Sequence, residues 1–215
     1  MSKKRLVYVI ASGSHDYSYC NWMNIDGLTN DIHKATICMG LGGSDVSSHY
    51  YNQPDSGHLH TSDWTDTREY KDYALAIELK KPIVGTCKGM QWLAALAGGA
   101  VFQHINHPYC HFIETYDGQK ILANSLHHNM ADLSPLNEGE DYKLLAWSST
   151  TSDVHIDGWN RNITCLKDPE AAWFKKINAF GQQYHPEMLL HEPKAKPLIA
   201  WARQTLDLFL NGKLS

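Results

Sequence analysis

The chain has 215 residues, a formal net charge of −4 and 43% hydrophobic residues. That length suffices for one well-buried α/β core, and the mild acidity excludes the basic footprint that nucleic acid or an anionic membrane surface selects. Five cysteines, odd in number and without a CxxC pair, argue against a disulfide framework and for a reducing compartment.

After MSKKR, the β-branched run Leu6 to Ile10 predicts a first buried strand. The apolar stretch ends at Ala11, shorter than a signal-peptide core, and no run approaches the ~20 residues of a membrane helix, so a soluble cytoplasmic protein is expected. Ser12 to His33 is polar, with room for one helix at most. Ala35 to Gly40 predicts a second strand that flows into LGGSDVSS, and His49 to Thr65 reads as an irregular, His-rich surface loop. Tyr70, Tyr73, Ala74 and Ile77 then recur at helical spacing, predicting a helix over Thr67 to Lys80.

Pro82 to Val84 is short and β-branched, and the glycines that follow bracket a cysteine: Gly85, Cys87, Gly89. Small neighbours around one reactive side chain are what a nucleophile elbow between strand and helix requires, because substrate and backbone must approach closely there. The N-terminus of the following helix favours thiolate over thiol. Its first backbone N–H, on Lys88, faces the space where an oxyanion forms, and one such donor contributes ~10²–10³ in rate.

Gly98 and Gly99 end that helix. Ala100 to Ile105, His111 to Tyr116 and Gln119 to Ala123 predict strands, the last two paired across Asp117–Gly118. Tyr142 to Trp147, Glu170 to Phe174 and Asn178 to Tyr184 predict three more, and a final helix runs from Pro197 to Leu210. Within GQQYHPEM, His185 and Glu187 are two apart. In an extended segment they share a side, so the carboxylate orients the imidazole, and Pro186 is expected to keep the segment extended. There are no repeats or linkers, so residues 1–215 are expected to form a single domain. The thirteen histidines, among them His104, His107, His111, His127 and His128, show no HExxH motif or regular ligand spacing, so no metal or cofactor is expected.

The GxCxGxQ pattern at Gly85, Cys87, Gly89 and Gln91 resembles the nucleophile segment of the class I glutamine amidotransferases, and Met90 before the glutamine is similar to the γ-glutamyl hydrolase, peptidase C26-like branch. Gly42, Gly43, Asp45, Val46 and Ser47 match that branch's glycine pair and DVS. Arg68 resembles its RD segment, with Glu69 in place of aspartate. Asn124 to Asn129 resembles its NSxHHQ element, with Asn129 in place of glutamine, and His185 to Glu187 matches its HPE.

The resemblance implies a flavodoxin-like α/β fold, a mostly parallel central sheet flanked by helices. It implies a Cys87–His185–Glu187 triad, an oxyanion hole from the backbone N–H groups of Gly43 and Lys88, and substrate contacts from Gly42, Gln91, Ser125, Leu126 and His127. The expected activity is cysteine-dependent hydrolysis of a small γ-glutamyl amide through a γ-glutamyl thioester. Class I glutaminases often carry a fused synthetase domain that these residues do not contain. A glutaminase subunit delivering ammonia to a separate ATP-dependent synthetase is therefore the alternative, and a non-catalytic binding module on the same fold is the third.

Overall fold

The computed structural model describes residues 4–11 and 17–214; the Ser12–Asp16 part of the expected front segment lies outside them. In chain order the strands and helices are β1 (Leu6–Val9), β2 (Gly27–Leu28), β3 (Ile37–Gly40), α1 (Asp63–Glu78), β4 (Ile83–Thr86), α2 (Lys88–Leu96), β5 (Ala100–Phe102), β6 (His104–Ile105), β7 (Cys110–Thr115) and β8 (Lys120–Asn124). They continue as β9 (Met130–Asp132), β10 (Tyr142–Ser148), β11 (His155–Ile156), β12 (Pro169–Phe174), β13 (Ala179–Gln182) and α3 (Lys196–Leu210).

The short apolar runs meet in a nine-stranded sheet of order β2-β1-β3-β4-β13-β12-β10-β7-β8. The first five strands are parallel neighbours, and the last four add antiparallel pairs. Period-two alternation splits the parallel strands between two cores. Val7, Val9, Ile37, Met39, Val84 and Phe180 face α3, where Leu198, Trp201, Leu206 and Phe209 are buried. Cys38, Ile83 and Ala179 face the opposite way, towards Tyr73 and Ala76 of α1 and Met90 and Leu93 of α2. Each buried Val, Leu, Ile, Phe or Met among them contributes about 1.5–3 kcal/mol by leaving water. No helix among the described residues is long and apolar enough to cross a membrane.

Helix α2 sits almost backbone to backbone on β3 and β4. A Cβ at Gly85 would lie 2.5 Å from the Gly89 carbonyl, and one at Gly89 would lie 2.5 Å from the Gly40 oxygen. The elbow glycines therefore set how closely the helix approaches the sheet, and with it the position of Cys87.

Several expectations shift. Helix α1 begins at Asp63 rather than Thr67, with Asp63 and Asp66 in its first turn, where carboxylates suit the positive helix end. The expected front segment holds a 3-10 helix, Tyr17–Met23, and the two-residue β2. The loop expected from His49 contains a 3-10 turn, Ser48–Tyr51, that buries Tyr51. The single strand expected over Ala100 to Ile105 is divided, because β5 pairs with β9 while β6 pairs with β11. The Asp117–Gly118 turn forms as expected, with Gly118 at φ 82° and its N–H donating to the Thr115 carbonyl at 2.9 Å.

Candidate active site

Cys87 stands between the end of β4 and the start of α2 with φ 54° and ψ −109°, a left-handed conformation that costs a non-glycine residue on the order of 1–3 kcal/mol. Its N–H donates to the Gln182 carbonyl at 2.8 Å, and its own carbonyl accepts from Met90 at 2.9 Å and Gln91 at 3.2 Å. Sheet and helix together hold the strained residue. The sulfur opens into a cavity of about 100 Å³ lined by Gly43, Gln91, Leu126 and His127 and by Ser44, Asp45, His60, His128 and Asn129.

The His185 ring lies close enough to Cys87 to interact with it electrostatically, and its Nδ1 lies 2.7 Å from Glu187 Oε1. Burial opposes charge on this ring, but its interactions with Cys87 and Glu187 outweigh it and raise the His185 pKa to about 10. The path between the pair departs from expectation. β13 ends at Gln182, and Pro186 opens a 3-10 turn, Pro186–Leu189, with His185 as its cap at φ −110°. Proline's fixed φ suits the first position of a helical turn, so the turn, rather than an extended strand, brings the carboxylate back to the imidazole.

Of the residues singled out from sequence, Gly43, Cys87, Gln91, Leu126 and His127 line the cavity together. Gly42 instead packs on the histidine, since a Cβ there would sit 2.7 Å from His185 Cε1 and 3.5 Å from Cys87 Cβ. Ser125 lies beside the cavity, its N–H donating to the Tyr109 carbonyl at 2.7 Å while its buried hydroxyl has no partner. Gln91 donates to the Asn129 carbonyl at 3.1 Å, which leaves its buried Oε1 and both side-chain amide atoms of Asn129 without partners. Burial lowers the His127 pKa to about 4.

Lys88 supplies its main chain to the elbow and turns its side chain away. Its buried Nζ pairs with Asp66 at 2.7 Å and Glu69 at 2.8 Å, and Asp66 also accepts from the Ser47 N–H at 2.9 Å and hydroxyl at 2.5 Å. Arg68, by contrast, lies over the exposed Trp64 ring at 4.7 Å. Asp45 ties the surrounding loops together, accepting from the His60 N–H at 2.7 Å and meeting His128 Nε2 at 3.1 Å; these contacts outweigh burial and lower its pKa.

One supporting residue escaped the sequence reading. Asn124 clamps the histidine's main chain, its Oδ1 accepting from the His185 N–H at 3.0 Å and its Nδ2 donating to the His185 carbonyl at 3.3 Å. Its place at the head of NSLHH was the available signal. A larger cavity of about 440 Å³ around Phe102, Asp132, Ile163 and Cys165 holds none of the expected residues.

A model of the peptidase C26 family matches residues 29–138. The glutamine amidotransferase-like protein YvdE of Lactococcus lactis subsp. lactis is 36% identical over 160 residues, covering 61% of this chain. Protein NtpR of Enterococcus hirae is 27% identical over 161 residues, covering 68% of this chain. The chain spans 64% of the length of each of these two relatives. A glutamine amidotransferase of Thermotoga maritima superposes with a TM-score of 0.58 at 14% identity, covering 100% of this chain and 87% of that one, so the two share the flavodoxin-like α/β fold.

Proposed function

The chain belongs to the peptidase C26 family, within the class I glutamine amidotransferase-like superfamily, and from that premise we propose that it hydrolyses a γ-glutamyl amide, glutamine or a γ-glutamyl amine or peptide, as one domain. The observation that carries this reading is the strained Cys87 with the His185 ring beside it, both against Gly42, and Glu187 2.7 Å behind the ring.

The Cys87 sulfur attacks the γ-carbonyl carbon, and the carbonyl electrons move to the oxygen, where the N–H groups of Gly43 and Lys88 hold the oxyanion. As the carbonyl re-forms, the C–N bond breaks and the amine leaves with a proton from His185, giving a γ-glutamyl thioester. His185 then takes a proton from water as the water oxygen attacks the thioester. The C–S bond breaks, and glutamate and free Cys87 result. Glu187 fixes the tautomer and orientation of His185 throughout.

The cavity's about 100 Å³ suits a glutamyl group rather than a whole larger amide, which leaves the departing amine at the mouth. The unpartnered Gln91 and Asn129 amide atoms are the kind of buried polar groups that a glutamyl α-amino or α-carboxylate group satisfies. Cys87 is in no disulfide, as a thiol nucleophile requires.

The test is ammonia and glutamate release from L-glutamine, beside glutamate release from a γ-glutamyl amine, in wild type and Cys87→Ala. Turnover of the larger amide without any partner, reduced about 10⁴-fold or more in the variant, is the expected result. Turnover that arises only when an ATP-dependent synthetase is added assigns a glutaminase subunit instead. Failure of Cys87 in the folded protein to react with a thiol-directed glutamine analogue assigns a binding module.

A further inference from the structure

Next to the cysteine cavity the antiparallel half of the sheet encloses a second group of histidines and carboxylates. Glu170 of β12 and His111 of β7 are buried, with His111 Nε2 2.7 Å from Glu170 Oε1. His107 precedes β7 with a fully buried side chain, and its Nδ1 lies 3.7 Å from the same Glu170 oxygen. Ligand atoms of these three residues all lie within 4.8 Å of one another. The His127 ring, whose other neighbour is the cysteine cavity, stands 5.6 Å from that of His107.

What separates this group from an ordinary buried ion pair is which ring nitrogens are already engaged. His107 Nε2 is held by Asp168 Oδ2 at 2.6 Å, and Asp168 Oδ1 is itself held by His155 Nε2 at 2.6 Å. His127 Nδ1 is held by the Asn129 carbonyl at 2.8 Å. A ring that gives one N–H to a carboxylate or a carbonyl presents a lone pair on the other nitrogen, and this is how proteins orient metal-binding histidines. The nitrogens left over, His107 Nδ1 and His127 Nε2, have no hydrogen-bond partner among the described residues, and neither does Glu170 Oε2. Native interiors rarely leave so many polar atoms unsatisfied in one place.

We propose that His107, His111 and Glu170, with His127 completing the set, bind a divalent transition-metal ion. Imidazoles and a carboxylate in a closed site favour zinc, whose bonds of about 2.0–2.2 Å contract the His107, His111 and Glu170 ligand atoms from within 4.8 Å of one another and draw the His127 ring in from its loop. The ion ties the loop bearing Ser125 to Asn129 to β7 and β12, and so fixes one wall of the cysteine cavity without touching the sulfur. The inference stands independently of the proposed reaction.

The experiment is metal analysis of the purified full chain, followed by chelator stripping and refilling with Zn²⁺ or Co²⁺ while melting temperature and visible absorption are recorded. About one equivalent of zinc per chain is expected, with a fall in melting temperature on stripping and recovery on refilling. His107→Gln and Glu170→Gln are expected to lose the ion, Asp168→Asn to bind it about 10–100-fold more weakly, and Cys87→Ala to keep it. The wild-type stripping and refilling needs no variant, so a substitution that fails to fold leaves the test intact. A stripped protein that takes up no zinc and melts unchanged overturns the proposal. So does a thiolate-to-cobalt charge-transfer band, or stoichiometric zinc retained by folded Glu170→Gln, because each places the ion elsewhere.

Discussion

Two histidine–carboxylate arrangements meet at the loop from Ser125 to Asn129, one open to solvent through the cysteine cavity and one enclosed. In the open one, His185 and Glu187 are two residues apart and face each other through a single 3-10 turn. In the enclosed one, His111 reaches Glu170 across 59 residues and His107 reaches Asp168 across 61. Locally wired groups can be poised for chemistry because one turn sets their geometry. Groups wired through the sheet are held in place by the whole fold, and removing one disturbs the fold first.

The largest effect that tests this contrast comes from comparing Glu187→Gln with Glu170→Gln. Glu187→Gln is expected to lower kcat/KM by about 10²–10⁴-fold with a smaller fall in melting temperature than Glu170→Gln, since it weakens the orientation and charge of His185. Glu170→Gln is expected to act first on melting temperature. If the two variants lose activity alike while both keep their stability, the distinction between the regions fails. Enzyme assays beside thermal melts decide it.

A smaller effect is expected from Gly42→Ala. The added methyl would begin 2.7 Å from His185 Cε1, so the ring must move, and a displacement near 1 Å costs about 10²-fold in kcat. Cys87 should still alkylate in the variant, which separates a misplaced histidine from a collapsed cavity. Unchanged kcat would show that the open centre tolerates movement that its short wiring should forbid.

The smallest effect is in pH dependence. The folded-state pKa of His185 is raised from 6.5 to about 10, so the folded protein holds a proton there that the unfolded chain releases. The stability this contributes is fully present below pH 6.5 and is lost as the pH rises through about 10. The gap in melting temperature between wild type and His185→Asn should therefore narrow across that interval. A constant gap would mean that His185 carries no extra proton in the folded state.

The centre around Cys87 was legible because its signals are local. Glycines at fixed offsets mark the close approach of α2 to β3 and β4, and HPE places the imidazole and the carboxylate within one turn. The same local reading misjudged the path at His185, because a proline at the residue after it suits both an extended chain and the start of a helical turn. It also missed the Asp66–Lys88 pair, 22 residues apart, and the Asn124 clamp, 61 residues apart. No periodicity connects residues so separated.

The sequence by itself determined the α/β class and most of its longer strands and helices, the elbow around Cys87 and the pairing of His185 with Glu187, since backbone sterics and short spacings act within a few residues. The two-residue β2 and β11, β9 and the division of β5 from β6 were not legible in it. The tertiary structure alone decided which histidines are enclosed, which carboxylates they meet and which of their nitrogens stay unpartnered. Those contacts arise when β7 and β12 take their places on either side of β10, and sheet neighbours are chosen by burial over the whole chain.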